Sequence, residues 1–350
     1  MREKLIEFIE NGFLKDLLTQ EGVTDISYNG EDIFYKDNLK GRIKSEIKVT
    51  QAEVNQFLRQ IANETDSQFS VTEPILDVSV GKYRINATHI SVSRKSKEKV
   101  FNFSIRIAYE NLRIKDNDSF ISKKALYLLQ LGIKNGCSIA ISGKTGTGKT
   151  EFQKYLISKL EPNTRVIIID SVDEFDTSNF AKHLDTQTWI IPAKYRNINA
   201  EDLIRNALRS NPDRIVVGES RGKEMLTVLN SSMSGHPTIT TLHALDASST
   251  YSRMARMCMI GNESLSYDDV LLDIYEHFNF IVHIKSYFDN KRMMFVRYVD
   301  SIGTSEREEY YELYKYPNVY KELPLSLVKR LNLSEKECQK INKKLVGNRL

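Results

Sequence analysis

The sequence predicts an α/β fold built on a mostly parallel sheet, preceded by a smaller α+β domain. Three observations carry that expectation. In the second half of the chain, short apolar runs alternate with helical segments, the pattern of a parallel sheet covered by helices. One of those runs leads into the glycine-rich segment Gly143–Thr150, and a helical stretch follows it. The first third carries apolar/polar alternation instead, as antiparallel strands with one solvated face do. The expected boundaries are 1–113 for the first domain, 114–120 for a linker and 121–350 for the second domain.

The elements follow in order. Leu5, Ile6, Phe8 and Ile9 suggest a first helix. Val23–Tyr28 and Asp32–Tyr35 read as short strands around the turn Asn29-Gly30. Thr50 is placed to cap a helix through about Asn63, with Val54, Phe57, Leu58 and Ile61 on one face. Alternation returns in Leu76–Val80, Tyr83–Ala87 and Phe101–Ile107. The polar stretch Lys115–Ser119 marks the linker. Five strands are then expected, at Ser138–Ser142, Arg165–Asp170, Thr188–Ile191, Arg214–Gly218 and Thr238–Leu242. Beyond Lys285 come two β-like runs, Arg292–Val299 and Glu308–Tyr314, and then charged helical sequence to Leu350.

Composition narrows the classes. The chain has 350 residues, 41% of them hydrophobic and 27% charged, which suits a soluble protein with sizeable cores. No apolar run approaches the roughly 18 residues of a membrane span. The start of the chain leads into an amphipathic helix rather than the apolar core of a signal peptide. Three scattered cysteines form neither a disulfide framework nor a zinc pattern, which points to a reducing cytoplasm. A net charge of +4 permits weak attraction to nucleic acid or an anionic membrane face and demands neither. The basic run Arg94–Lys99 reads as a solvated loop.

Gly143, Lys144, Thr145, Gly146, Thr147, Gly148, Lys149 and Thr150 fit the phosphate-binding P-loop pattern G-x-x-x-x-G-K-[ST]. The context is right: the apolar run Cys137–Ser142 precedes it, and helical spacing of Phe152, Tyr155, Leu156 and Leu160 follows. Glycines let consecutive N–H groups curl toward phosphate oxygens, and the helix N-terminus adds partial positive charge. Lys149 is expected to reach the β- and γ-phosphates and Thr150 to offer its hydroxyl to Mg²⁺. ATP and Mg²⁺ are therefore the expected cofactors.

Three further strand ends carry polar groups where a parallel sheet presents its active edge. Val166–Ile169 runs into Asp170, Asp173 and Glu174; Arg214–Gly218 runs into Glu219; Thr238–Leu242 runs into His243. A single acid after a strand is more often a cap or a turn residue. Three such ends after one P-loop point instead to phosphoryl transfer, which needs metal coordination and an oriented water.

These segments resemble the secretion, or traffic, ATPases, the hexameric motors of type II secretion, type IV pili and conjugative type IV secretion. Asn211–Gly222 is similar to their Walker B region, and Ser234–Pro237 with Thr241–Ala244 to their histidine box. Asp170–Glu174 lies where their aspartate box lies. Val23–Ile26, Asn29-Gly30, Gly81–Asn86 and Ser104–Arg106 resemble the N-terminal domain, especially of the conjugation and Tad-pilus branches. The resemblance covers roughly residues 20–300 and implies a RecA-like core. It gives Glu219 the Walker B role of polarising water and helping to hold Mg²⁺. It places His243 near the γ-phosphate with His236 in company, and sends Arg84 and Arg106 toward nucleotide. The family's box has two adjacent acids before a proline, whereas here Asp170-Ser171-Val172 stands, with Glu174 as the later carboxylate. The water-orienting group therefore stays open among Asp170, Asp173 and Glu174.

The expected function is thus a Mg-ATP-hydrolysing motor, working as a homo-oligomer, most simply a hexamer. It would serve inner-membrane components of a secretion, conjugation or pilus machine from the cytoplasmic face. Two other readings are a DNA-translocating ATPase, marked by DNA-stimulated hydrolysis, and a nucleotide-gated scaffold without turnover.

Overall fold

The computed structural model describes residues 2–108, 112–114, 119–191, 198–262 and 264–347. Positions 115–118 of the expected linker and the last three residues of the helical tail lie outside them. The chain divides into two compact units. The first holds Met1–Glu110 and Tyr287–Val296; the second holds Asn111–Ser286 and Arg297–Leu350.

In the first unit, helices α1 (Arg2–Asn11), α2 (Lys15–Leu18) and α3 (Gln51–Glu64) accompany strands β1 (Val23–Tyr28), β2 (Ile33–Asp37), β3 (Gly41–Lys44), β4 (Ile75–Val80) and β5 (Tyr83–Thr88). A two-stranded ribbon, β6 (Arg94–Lys95) and β7 (Glu98–Lys99), precedes β8 (Asn102–Ile107). The main sheet runs β3-β2-β1-β8-β5-β4, antiparallel throughout. Alternation on β8 buries Phe103, Ile105 and Ile107 and exposes Ser104 and Arg106. The buried face packs against Val54, Phe57, Leu58 and Ile61 of α3. Thr50 caps α3 as expected, in a reciprocal capping box with Glu53.

The second unit begins with α4 (Lys123–Lys134), β9 (Ile139–Gly143), α5 (Lys149–Ile157), β10 (Arg165–Asp170) and β11 (Asp185–Ile190). It continues through α6 (Ala200–Ala207), β12 (Arg214–Val217), α7 (Glu224–Met233), β13 (Thr238–Leu242), α8 (Ser248–Gly261) and α9 (Tyr267–His277). Then come β14 (Phe280–Asp289), β15 (Met294–Glu306), β16 (Glu309–Lys315), β17 (Val319–Tyr320), α10 (Leu325–Arg330) and α11 (Glu335–Val346). The sheet order is β11-β10-β12-β13-β9-β14-β15-β16-β17. From β11 to β14 every recorded pairing is parallel.

Burial on both faces explains the apolar runs. Val166–Asp170 of β10 is buried throughout, with Val166 and Ile168 in one core cluster and Ile167 and Ile169 in the other. Two differences from expectation stand out. The strand expected at 188–191 starts earlier, at Asp185. An unanticipated parallel strand, β14, pairs with β9 through Phe280–Ile284. Its opening residues are an unbroken apolar-rich run, which has no period to separate it from a helix end.

Arg214 opens β12 inside the core, 3% exposed. It donates to the Cys137 and Ile133 carbonyls at 2.9 and 3.1 Å, where α4 ends. Carbonyls past a helix C-terminus carry partial negative charge, so they serve a buried guanidinium in place of a carboxylate. Burial lowers its pKa to about 10, still far above neutral pH.

Candidate active site

Parallel pairing puts the C-terminal ends of β10, β12, β13 and β9 side by side, and register decides which residues meet. Leu242 is level with Ser142, so His243 falls beside Gly143. Val217 is level with Thr240, so Glu219 falls beside Leu242. Ile169 is level with Val217, so Asp170 falls beside Gly218. Three strand ends and the P-loop thus share one edge.

The loop itself demands glycine at its entry. A Cβ on Gly143 would lie 2.5 Å from the Ile284 carbonyl oxygen of β14, closer than any real contact. Helix α5 then starts at Lys149 after Gly148, with no side chain capping it. By contrast α3, α6 and α11 carry capping boxes. The uncapped N–H groups of α5 suit an anionic ligand.

Lys149 is 8% exposed. Its ammonium donates to the Gly143 and Lys144 carbonyls at 3.1 and 3.2 Å, and lies 3.3 Å from His243 Nδ1. Burial lowers its pKa to about 8, against the opposing pull of Glu219. His243 Nε2 is 3.1 Å from Glu219 Oε1, and the other Glu219 oxygen accepts from Arg221 at 2.6 Å. With hydrogen on Nε2, His243 donates to Glu219 and accepts from Lys149. His243 Nδ1 also lies 3.0 Å from the Gly143 oxygen, which Lys149 already supplies with a hydrogen.

Asp170 is 2% exposed and accepts from the backbone N–H groups of Val172 and Glu174 at 3.2 and 2.7 Å. Its carboxylate closes the turn after β10, as a short acid does in an Asx turn. Burial raises its pKa while those bonds oppose the rise. It also packs closely against the residue before Glu219, since a Cβ on Gly218 would lie 2.9 Å from Asp170 Oδ1. Asp173 is exposed at φ +55°, and Glu174 is half-buried.

His236 precedes β13 whereas His243 follows it, so the pair is divided by the five-residue strand Thr238–Leu242. A strand of that length spans roughly 17 Å. His236 therefore stands at the other edge of the sheet, with its Nδ1 3.3 Å from the Ser234 hydroxyl. Arg84 and Arg106, in the first unit, are direct cross-strand partners on β5 and β8. Each is flanked by a carboxylate, Asp77 for Arg84 at 3.2 Å and Asp25 for Arg106 at 3.3 Å.

Several contributors escaped sequence reasoning. Gln153 of α5 is fully buried and donates to the Val217 and Ile239 carbonyls at 2.9 and 3.1 Å, tying the P-loop helix to β12 and β13. Ser142, under the loop, is 2.9 Å from His283 Nδ1 and accepts from Thr250 at 2.9 Å. Burial lowers the His283 pKa to about 4, so the ring is neutral. On the His243 side, a cavity of about 700 Å³ is lined by Lys144, His243, Arg253 and Arg256 among others. Among the described residues neither arginine has a hydrogen-bond or ion-pair partner. Their i, i+3 spacing just after His243 was the available signal.

A family model described as type II/IV secretion system protein matches residues 37–274. An uncharacterized protein of Bacillus anthracis is 30% identical over 291 residues, which are 80% of this chain and 63% of that protein. The type IV secretion system protein VirB11 of Bartonella quintana (strain Toulouse) is 30% identical over 223 residues, 62% of this chain and 55% of that protein. The matched region spans less than two thirds of either relative's length. The X-ray structure of the Legionella pneumophila ATPase DotB superposes with a TM-score of 0.61 at 19% identity, covering 98% of this chain and 86% of that one. At that identity the likeness is one of fold, the parallel core being RecA-like. The family match, lying across both units and all four motif-bearing strand ends, makes this chain a member of the type II/IV secretion system protein family.

Proposed function

We propose that the chain is a Mg-ATP-hydrolysing motor subunit that powers a secretion, conjugation or pilus-like machine from the cytoplasmic face of a membrane. The reading places it in a homo-oligomeric ring, most simply a hexamer, docked on inner-membrane components. Among the described residues no helix is long and apolar enough to cross a membrane, so attachment through partners suits it. The observation that carries the reading is the chain Lys149–His243–Glu219, which joins the P-loop to two other strand ends within hydrogen-bond distance.

Each residue has a part. Lys149 exchanges its loop carbonyls for β- and γ-phosphate oxygens, and the backbone N–H groups of Gly143–Thr150, those at the uncapped start of α5 among them, receive the rest of the chain of phosphates. Mg²⁺, when bound, would neutralise phosphate charge. Among the described residues no cluster of three or more His, Cys, Asp or Glu could hold a metal ion. Thr150 and Glu219 fit a metal held chiefly by phosphates and water. Glu219 orients the attacking water, and His243 and Arg221 hold its carboxylate in place. Asp170 fixes the turn that carries Glu174, which leaves Glu219 the better placed carboxylate. Arg84 and Arg106 stand side by side and each is already paired with a carboxylate, Asp77 and Asp25, so a phosphate that engages them would have to share or displace those partners.

Steady-state Mg-ATP hydrolysis, measured with and without DNA, tests the reading. Turnover indifferent to DNA is expected. Strong stimulation by DNA would make the chain a translocase, and nucleotide binding without turnover would make it a scaffold.

A pH dependence follows from the Lys149 ammonium. Phosphate binds the charged form, whereas burial makes the free protein lose that proton near pH 8. Affinity is therefore steady below pH 8 and falls above it, by about tenfold one unit higher, because binding must then take up a proton. Titration with a fluorescent ATP analogue checks this. A dissociation constant unchanged up to pH 9 would refute it.

A further inference from the structure

Arg297 is the first residue of β15 to belong to the second unit, directly after Val296 ends the hairpin segment of the first. Its Nε–H donates to the Gly146 carbonyl of the P-loop at 2.9 Å. Its Cδ also lies 3.7 Å from the position of a Cβ on Gly148, so the side chain runs along the glycine-rich turn. A carbonyl inside a phosphate-binding loop faces away from the ligand, and a planar trans peptide points its N–H the opposite way. Holding the Gly146 oxygen outward therefore turns the Thr147 N–H inward. That N–H is indeed directed into the loop, toward Lys144 O at a long 3.4 Å. A bond of that length is readily exchanged for a phosphate oxygen.

We propose that Arg297 is a positioning residue of the nucleotide site, fixing the Gly146–Thr147 peptide so that the loop is set for the phosphate chain before nucleotide arrives. The inference rests on the nucleotide-hydrolysing reading above. A preformed cradle is used equally by substrate and transition state, so its loss weakens binding without slowing chemistry. A second guanidinium, that of Arg113, lies near enough to act on Arg297 electrostatically, and the Arg113 backbone N–H donates to the Glu151 carboxylate of α5. Arg113 and Arg297 both belong to the second unit, as the P-loop and α5 do.

The test compares wild type with R297A, R297K and K149A, using a fluorescent ATP analogue, steady-state kinetics, thermal melting and hydrogen exchange of the peptide covering 143–150. R297A is expected to raise the dissociation constant and KM about tenfold, as loss of a hydrogen bond from a charged donor does, with kcat within about twofold of wild type. The loop amides should exchange faster at an unchanged melting temperature, and R297K should recover part of the affinity. An R297A dissociation constant within about twofold of wild type would overturn the proposal. So would an affinity loss that comes with a matching fall in melting temperature, since that marks a brace for the fold. Wild type that binds nucleotide through Lys149 while R297A is normal removes this inference alone. Wild type that fails to bind removes the parent reading with it.

Discussion

Lys149→Ala is expected to abolish turnover and weaken ATP binding by at least about a hundredfold, the scale for removing a preorganised charge aimed at developing negative charge. Stability should not suffer. The lysine's pKa is depressed by burial to about 8, against 10.5 in the open chain. A lysine whose folded pKa is depressed costs stability below the folded value, and the cost fades as pH rises from about 8 to 10.5. Alanine removes the buried charge, so the melting temperature at neutral pH should hold or rise. Turnover by the variant within about tenfold of wild type, measured by phosphate release, would sink the site assignment. A lower melting temperature would refute the account of its burial.

Glu219→Gln is expected to cut turnover by about 10²–10³-fold while leaving ATP affinity within about threefold of wild type. The amide keeps the shape and can bond one of the two neighbours that hold the carboxylate, His243 at 3.1 Å or Arg221 at 2.6 Å. It cannot supply negative charge to both, nor to a metal-bound water. Single-turnover hydrolysis separates the chemical step from release. If the variant binds weakly but turns over normally, Glu219 contributes to binding and the water-orienting role passes to Glu174 or Asp173.

Local pattern made much of this legible. The capping box of Thr50 and Glu53, the alternation of β8 and the buried run of β10 are determined by residues within a few positions of one another. The P-loop was legible for the same reason, because its glycines, Lys149 and the start of α5 are contiguous. The placement of the two histidines was less so. His236 and His243 lie only seven positions apart in the sequence, yet a whole strand separates them. Strand β14 was missed because a fully buried apolar run carries no period. The choice of water-orienting group among Asp170, Asp173 and Glu174 stays open in the sequence; in the fold the Asp170 oxygens accept from Val172 and Glu174 in the turn.

The sequence by itself determined the chemistry on offer: a phosphate cradle, a lysine, and acids and a histidine at strand ends. Tertiary structure alone decided which of these meet. Strand β13 pairs between β12 and β9, and that order sets His243 between Glu219 and Lys149. Arg297 reaches Gly146 across 151 positions of sequence. Periodicity and motif spacing report only on neighbours along the chain. The order and register of parallel strands are set by long-range packing of their two buried faces, and that packing brings distant side chains to one edge.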